Sequence, residues 1–377
     1  MGSRRAEMLA VALLLVGLAG FALAFTRGAA LRAWESFLVN LLFWLGIAQG
    51  GVVISASFYL TEARWGGAGL YRLAEAFAGF VPVGFLLFWA LFPARALIFP
   101  WILHPEPEKA AWLDVRFLFA RDGAGLLLMA LLSLWLVRAS RRAETVAWAE
   151  SYGTIEQPPA TVRRLAPALI ISYAVVYTIV AFDLVMSLSP RWFSTLFGAY
   201  FFAGAYWSGL TAMGLLASLG RRPERRDTAG ERGGVLHDLG KLVFAFSIFW
   251  AYLMWSQYLP IWYADLPEET FFVVPRIHRL PWGILGWLAF LLVWAVPFSV
   301  LMGRRPKKTP AIFGTVCLLG LLGMWVERYV LVVPSLSRHA IPLGWVEALV
   351  STGFLGLFAL VVAPGVRLVP VHPGGEA

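Results

Sequence analysis

The chain is dominated by apolar runs that are each long enough to cross a lipid bilayer. About 20 apolar residues in a helix cover a hydrocarbon core of ~30 Å. Hydrophobic residues make up 60% of the chain and charged residues only 14%, so the sequence predicts an all-α integral membrane protein with about ten transmembrane helices. The ten runs cover 8–25, 37–60, 70–93, 118–137, 165–188, 193–219, 237–258, 281–301, 311–333 and 345–364.

Basic residues concentrate in alternate connections between these runs. Twenty of the 31 Lys and Arg residues lie on one predicted side of the membrane. Cytoplasmic loops carry the excess of Lys and Arg in membrane proteins, so we expect both termini to be cytoplasmic. The net charge of +9 then reflects topology and not a nucleic-acid partner. On the same side, the Arg- and Gly-rich segment 220–236 is predicted to be a flexible connector.

The order of the runs indicates an internal repeat. Four crossings return the chain to its starting side, so runs two to five and runs six to nine predict two four-helix bundles. Their last helices show the same spacing, because Asp183 precedes Pro190 by seven residues and Glu327 precedes Pro334 by seven. The predicted divisions are 1–36 for the first transmembrane helix and outer loop, 37–190 for bundle 1, 191–334 for bundle 2, and 335–377 for the last transmembrane helix and cytoplasmic tail.

Polar side chains form stripes on two otherwise apolar spans. A charged group at the bilayer centre costs roughly 3 kcal/mol or more, so Asp183 is expected to face a polar interior. At 100° per residue, one face of the fifth span carries Tyr173, Tyr177, Asp183 and Ser187. One face of the seventh carries His237, Asp238, Lys241, Tyr252 and Ser256. These stripes fit either proton conduction through bound water or simple hydrogen bonding between helices.

Further polar residues extend this pattern to both sides of the membrane. Arg72 with Glu75, and Asp238 with Lys241, are neighbours three residues apart, which also fits local ion pairs that snorkel to water. Near the outer ends, we expect one cluster of Asn40, Arg121, Asp122, Asp183, Gln257, Glu327 and Arg328. The hypothetical proton path consists of Asp183, Tyr173, Tyr177, Ser187, Asp238, Lys241, Tyr252, Ser256, Gln257, Glu75 and Glu327.

Residues that bind metal clusters are scarce. A single cysteine, Cys317, cannot supply the thiolates of an iron–sulfur cluster, and the histidines lie in loops or at span ends. We therefore predict no catalytic residue, no metal and no cofactor held by this chain. Two long outer loops, 94–117 and 259–280, carry aromatic residues such as Trp112 and Trp262, which predict either interfacial anchoring or docking of an extra-cytoplasmic subunit.

Three sequence stretches carry a family resemblance. They are Phe37 to Gly51 (FLVNLLFWLGIAQGG), Phe182 to Tyr200 (FDLVMSLSPRWFSTLFGAY), and His237 to Lys241 (HDLGK) continuing to Trp255–Tyr263 (WSQYLPIWY). These stretches resemble the ActF-type membrane subunits of alternative complex III, in the NrfD/polysulfide-reductase-like family. The resemblance runs over spans two to ten and implies two four-helix bundles with flanking helices.

The resemblance implies a set of partners and a function. The expected partners are a homologous NrfD-like membrane subunit, an extra-cytoplasmic iron–sulfur subunit, c-type cytochrome subunits and membrane lipid. Such complexes oxidise quinol in a respiratory or photosynthetic membrane and pass electrons to a periplasmic carrier such as cytochrome c. The resemblance places the quinol, iron–sulfur clusters and c-type haems in partner subunits, and gives this chain a structural and proton-conducting role. It also implies the bacterial cytoplasmic (inner) membrane.

Two other functions remain open on the sequence. Ten spans with a parallel repeat also fit a proton-coupled secondary transporter, although few Gly- or Pro-broken helices face one another at mid-membrane. A quinol-binding membrane anchor of a molybdenum-type reductase, with a pocket near Asp122 and Asp183, is the other alternative.

Overall fold

The computed structural model describes residues 2–63, 65, 67–142, 158–220, 231–337 and 340–367. Within these ranges, all regular secondary structure is helical. The α-helices are α1 (Gly2–Thr26), α2 (Ala30–Leu60), α3 (Gly67–Ala76), α4 (Phe80–Trp89), α5 (Arg95–Ile98), α6 (Val115–Ser140), α7 (Ala160–Leu184), α8 (Phe197–Leu219), α9 (Glu231–Ala264), α10 (Pro267–Ile277), α11 (Trp282–Phe290), α12 (Val296–Leu301), α13 (Arg304–Lys308), α14 (Pro310–Leu336) and α15 (Trp345–Arg367). Outside the described residues lie His339, His372, most of the predicted connector 220–236, and five residues of the basic count, Arg64, Arg221, Arg222, Arg225 and Arg226.

The described helices confirm an all-α integral membrane protein of about ten spans. Nine segments are long and apolar enough to cross a membrane, with α3 and α4 counting as one segment and α11 and α12 as another. The remaining predicted span is α8, whose Tyr, Trp, Ser and Gly residues lower its mean hydropathy. Its 23 residues extend about 35 Å. Most of its side chains are buried, because it packs against α2, α7, α9 and α14.

The spans assemble into two units of four helices. The first unit contains α2, the α3–α4 segment, α6 and α7, and the second contains α8, α9, the α11–α12 segment and α14. Helices α1 and α15 pack against each other, and α15 also contacts α2 and α3. The predicted two bundles with flanking helices are therefore present, while the exact residue boundaries of the four divisions stay predictions. We call the end that carries the last turn of α7 the Asp183 end, and the end that carries α13 the Lys307 end.

Glycines bring the two units into close contact where α2 crosses α8. A Cβ atom on Gly50 would lie 2.3 Å from the Ala205 carbonyl oxygen, and one on Gly209 would lie 2.5 Å from the Gly51 backbone nitrogen. Only glycine fits at such an approach, and small residues are the usual means of packing helices closely in lipid. This close approach makes α2 a largely buried helix of the assembly.

Two spans are interrupted ahead of prolines. A 3₁₀ turn at Phe77–Gly79 separates α3 from α4, shortly before Pro82, and a π-helical turn at Leu291–Ala295 precedes Pro297 in α12. Proline lacks the N–H group that would continue the α-helical hydrogen bonds, so the turn before it changes its pitch. The breaks fall in the second span of one unit and the third span of the other. The two breaks are therefore not at equivalent positions of the two units. In transporters built from internal repeats, broken helices at equivalent positions mark the binding site.

The last helices of the two units end differently, although the equal spacing between acid and proline in their sequences indicated similar ends. Helix α7 stops at Leu184, so Pro190 lies outside it, whereas α14 continues to Leu336 with Pro334 inside. Pro334 cannot donate to the Val330 carbonyl one turn earlier. The Arg276 Nε atom donates to that carbonyl instead, at 2.9 Å. This outside donor compensates for the hydrogen bond that the proline removes and allows α14 to continue.

The long connections between the second and third spans of each unit fold over the Asp183 end. In the first unit, Lys109 Nζ donates to the Pro190 carbonyl at 2.5 Å. In the second, α10 presents Arg276 to the end of α14. Lys109 therefore binds the chain beyond the end of α7, whereas Arg276 binds carbonyls inside α14.

Candidate functional site

Asp183 is enclosed at one end of the first unit. Its carboxylate is fully buried and accepts hydrogen bonds from Arg121 Nε at one oxygen and from Arg121 Nη2, 2.6 Å away, at the other. Trp112 Nε1, from the connection before α6, donates to the same carboxylate at 2.8 Å. The Arg121 guanidinium lies 3.9 Å from the centre of the Trp112 ring. Asp183 is thus the centre of an ion pair in two-point contact, which compensates for its burial.

A second carboxylate lies beside this ion pair. Asp122 follows Arg121 on α6, is buried, and interacts electrostatically with Asp183. Neither of its carboxylate oxygens accepts a hydrogen bond from the described residues. Two neighbouring carboxylates repel each other when both are charged, which favours holding one proton between them. The pair is therefore a place where a proton can be taken up or released.

Glu75 anchors a second polar group towards the opposite end of the same unit. Arg72 Nη1 donates to Glu75 at 2.9 Å, one turn away on α3. The hydroxyl of Ser140, at the end of α6, also donates to Glu75, and the Tyr59 hydroxyl does so at 3.2 Å. Glu75 is almost completely buried. The predicted Arg72–Glu75 ion pair is present, and side chains from α2, α3 and α6 together bind the carboxylate.

One face of α6 joins these two groups. Asp122, Ser133 and Ser140 are 11 and 7 residues apart, which places them within about 20° of one another around the helix. Near the middle, Gln49 Nε2 of α2 donates to the Ser133 hydroxyl at 3.1 Å, and the buried Gln49 Oε1 has no partner among the described residues. We call the set Asp183, Asp122, Ser133, Gln49, Ser140, Tyr59 and Glu75 the polar column.

The polar column has two apolar intervals. The shorter one, of about 10 Å, lies between Ser133 and Ser140, and the longer one lies between Asp122 and Ser133. Asp122 and Ser133 are separated by about 16 Å along α6, and the buried side chains of Leu126 and Met129 lie on the same face between them. Direct hydrogen bonds cannot cover that distance. Unpaired buried acceptors such as those of Asp122 and Gln49 are, however, where ordered water binds in proteins. A proton crossing the column would need water in these intervals.

A separate polar group lies in the second unit, around Glu327 and Arg328. Arg328 Nη1 is 3.2 Å from Glu327 Oε2, and Arg328 Nη2 donates to the Phe201 carbonyl of α8 at 3.1 Å. Tyr200 interacts with Glu327. All three side chains are buried. Glu327 is therefore paired with a neighbour on its own helix, whereas Asp183 is paired with an arginine from another helix.

The tyrosines of the stripe predicted on the fifth span donate hydrogen bonds to backbone carbonyls. Tyr173 donates to the Phe202 carbonyl at 2.6 Å, and Tyr177 donates to the Leu45 carbonyl at 3.0 Å. Both rings are also close enough to Arg328 to interact with its charge. Ser187 donates to the backbone carbonyl of Asp183. These contacts are those of hydrogen bonding between and within helices, and they lead away from the Asp183 carboxylate.

The predicted stripe of the seventh span divides into separate parts in α9. Asp238 and Lys241 form a partly exposed ion pair at 2.6 Å. Tyr252 is 61% exposed and faces away from the helical assembly, and Ser256 is half-buried. Gln257 lines a cavity beside Glu327. No described contact connects these residues to the Asp183 group.

The outer residues expected to form one cluster lie in separate groups. Arg121, Asp122 and Asp183 stay together in the first unit, and Glu327 with Arg328 belongs to the second. Asn40 donates to Ser351 at 3.0 Å and accepts from Trp325 at 3.2 Å. The single cluster is therefore wrong as predicted, because Asp183 is paired with α6 of the first unit and Glu327 is paired within α14 of the second.

The sequence analysis did not select Ser133, Ser140 or Tyr59. The 7- and 11-residue spacings that connect Asp122, Ser133 and Ser140 are a readable signal, since both spacings return to the same face of an α-helix. Tyr59 has no such signal, because its role depends on the position of α3 beside the end of α2. No protein-family model matches the chain, and no curated protein matches it either.

Proposed function

We propose that this chain is a membrane subunit of a quinol-oxidising electron-transfer complex of the alternative complex III type, with a structural and proton-conducting role. The observation that carries the proton-conducting part is the polar column, where the buried acids Asp122 and Glu75 lie at two levels along α6 with the unpartnered Gln49 Oε1 between them. The electron-transfer part rests on the resemblance of 37–51, 182–200 and 237–263. Electrons would pass through iron–sulfur and c-type haem subunits to a periplasmic carrier such as cytochrome c.

The two-unit architecture supports this proposal. Such a subunit needs a rigid membrane-embedded scaffold, and the glycine crossing of α2 and α8 provides close packing between the units. The connections over the Asp183 end form a structured surface, held by Lys109 and Arg276. We assign this surface as the contact for the extra-cytoplasmic subunits. A homologous membrane subunit would lie beside the helices within the bilayer.

Co-purification tests the electron-transfer part of the proposal. The tagged chain, extracted from its own membrane in mild detergent, is expected to bring haem-containing and iron–sulfur subunits together with quinol:cytochrome c reductase activity. A chain that purifies alone and without haem absorbance would refute the proposal and favour a secondary transporter. A bound molybdenum-enzyme subunit without cytochromes would favour a reductase anchor.

Asp122 and Glu75 provide the sharper test of proton conduction. Asp122→Asn and Glu75→Gln remove titratable groups from the polar column while keeping side-chain size. In proteoliposomes we expect quinol oxidation to continue while the protons moved per electron decrease. Glu35→Gln is the matched control, because Glu35 is equally buried but lies outside the column, bound by Ser337. Unchanged proton movement in both column variants would exclude this route. Asp183→Asn is the weaker test, since it also breaks the Arg121 ion pair.

The orientation in the bacterial inner membrane is part of the same proposal. The only cysteine, Cys317, is fully buried, so a cysteine introduced at the surface is the one accessible thiol. We expect Glu106→Cys, in the connection before α6, to react with a membrane-impermeant maleimide on intact spheroplasts. Arg305→Cys, in α13, is expected to react only after the membrane is opened. The reverse pattern would show that the termini are not cytoplasmic.

A further inference from the structure

Lys307 is a buried cation that has no counter-charge among the described residues. It is only 7% exposed, and α13 packs it so closely on α9 that a Cβ atom on Gly240 would lie 2.8 Å from its Cγ atom. Its ammonium lies 5.5 Å from the centre of the Phe244 ring. Asp238, two residues before Gly240, pairs with Lys241 instead, at 2.6 Å. A buried ammonium without a partner costs free energy.

The groups around Lys307 add positive charge. Lys241 of α9 and Arg304 of α13 are close enough for their charges to act on Lys307. His237, one turn before Lys241, interacts electrostatically with both lysines. Its Nδ1 atom is buried and has no hydrogen-bond partner within the described ranges. We call Lys307, Lys241, Arg304 and His237 the basic group. Like charges held close together repel one another, so an anion between them would stabilise the folded protein.

Apolar side chains lie directly beside the basic group. The Phe244 ring stacks with the Phe298 ring of α12, with 5.7 Å between the two centres. Both side chains are half-buried, and Met302, just beyond α12, is 61% exposed. A surface of this kind at the end of a span contacts the acyl chains of lipids. Basic groups between transmembrane helices, next to such a surface, are where anionic lipid headgroups bind.

We propose that the basic group binds the phosphate of an anionic phospholipid, whose acyl chains lie along Phe244 and Phe298. A phosphate presents several acceptor oxygens around one centre, so Lys307 of α13 and Lys241 of α9 can donate to it together. Lys241 is accessible for this contact, since its side chain is 57% exposed. His237 donates from Nδ1 in the tautomer that carries the hydrogen there. The lipid supplies the missing counter-charge and fastens α13 to α9. This site does not depend on the proposed electron-transfer function.

The test is lipid binding, measured by native mass spectrometry on the protein purified from its own membrane with whatever co-purifies, after exchange into a neutral detergent. The added lipids are phosphatidylglycerol, which is anionic, and phosphatidylcholine, which carries a phosphate but no net charge. Lys307→Met removes the buried cation, and His237→Phe removes the unpartnered ring nitrogen. Arg138→Met is the matched control, because Arg138 is an exposed cation near the same end of the protein, on α6 of the first unit.

We expect wild type and Arg138→Met to bind phosphatidylglycerol alike. Lys307→Met and His237→Phe should bind it about ten-fold more weakly, the usual effect of losing one hydrogen bond to a charged group. Phosphatidylcholine should bind weakly to all four proteins. Equal binding of phosphatidylglycerol by all four would overturn the inference. An equal loss in Arg138→Met would also overturn it, because that result indicates a diffuse attraction to the basic end of the protein.

Thermal melting separates loss of binding from misfolding. In neutral detergent without added lipid, Lys307→Met should melt no lower than wild type, because the buried ammonium is then unpaired. Added phosphatidylglycerol should raise the melting temperature of wild type and Arg138→Met, but leave that of Lys307→Met nearly unchanged. Inorganic phosphate at the same concentration should not reproduce this rise, since it has no acyl chains. An equal rise with inorganic phosphate would exclude a lipid as the source of the phosphate.

Discussion

Arg121 on α6 holds both carboxylate oxygens of Asp183 on α7, and the Trp112 ring covers the guanidinium. Asp183 is the most conspicuous acid in the sequence, and this contact changes the role that we assign to it. An acid held by two-point contact has a structural role first, because it joins two spans through a buried ion pair. Its neighbour Asp122, which lacks a hydrogen-bond partner among the described residues, is the better candidate for exchanging protons.

Breaking the Arg121–Asp183 pair should destabilise the protein. Asp183→Asn leaves a largely buried guanidinium without its counter-charge, and removal of one partner of such a pair costs about 3–5 kcal/mol. We expect a lower melting temperature in detergent, measured by scanning fluorimetry. The double variant Arg121→Met with Asp183→Asn should lose less stability than the sum of the two single variants. Additive losses would show that the two residues act independently.

Arg276 and Pro334 should be coupled in the same way. Arg276→Met would leave the Val330 carbonyl, which Pro334 cannot serve, unpaired inside the protein, at a cost of about 1–3 kcal/mol. In a Pro334→Ala background, the new backbone N–H at position 334 can donate to Val330, so Arg276→Met should cost less there. Melting temperatures of the four proteins measure the difference. An equal loss in both backgrounds would contradict compensation by Arg276.

The crossing of α2 and α8 should not accept a side chain at position 209. Gly209→Ala places a Cβ atom 2.5 Å from a backbone nitrogen of α2, so the helices must separate. We expect a clear fall in melting temperature and in the amount of folded protein by size-exclusion chromatography. The matched control is Gly234→Ala in α9, where no atom lies within 4 Å of the new Cβ. That variant should be neutral or stabilising, because alanine favours helix over glycine.

Lys307, at the end of the molecule named after it, should make the stability of the protein depend on pH. Burial lowers the pKa of its ammonium group, and the charges of Lys241 and Arg304 lower it further. The unfolded chain therefore binds this proton more tightly, so stability rises as pH increases from the folded-state pKa towards the unfolded value. Lys307→Met should raise the melting temperature near pH 7, and the gain should shrink towards about pH 10. The exposed Lys308→Met serves as the control and should show no such trend.

Much of the fold could be predicted because the bilayer restricts the choices. A run of 20 apolar residues can satisfy its backbone only as a helix, so the ten runs determine the spans and their order. The residues at which the fourth helices end could not be predicted from the sequence alone. Whether Pro334 lies inside a helix depends on a donor, Arg276, that comes from another segment.

The sequence by itself determined which side chains must avoid lipid, because a charged or polar group in an apolar run is costly wherever the helix packs. Only the tertiary structure decided which of them meet. Asp183 contacts Arg121 and Trp112, Glu75 contacts Ser140 and Tyr59, and Glu327 lies beside a cavity. Helix periodicity places residues on a face, but the neighbour of that face is set by packing between segments far apart in the chain.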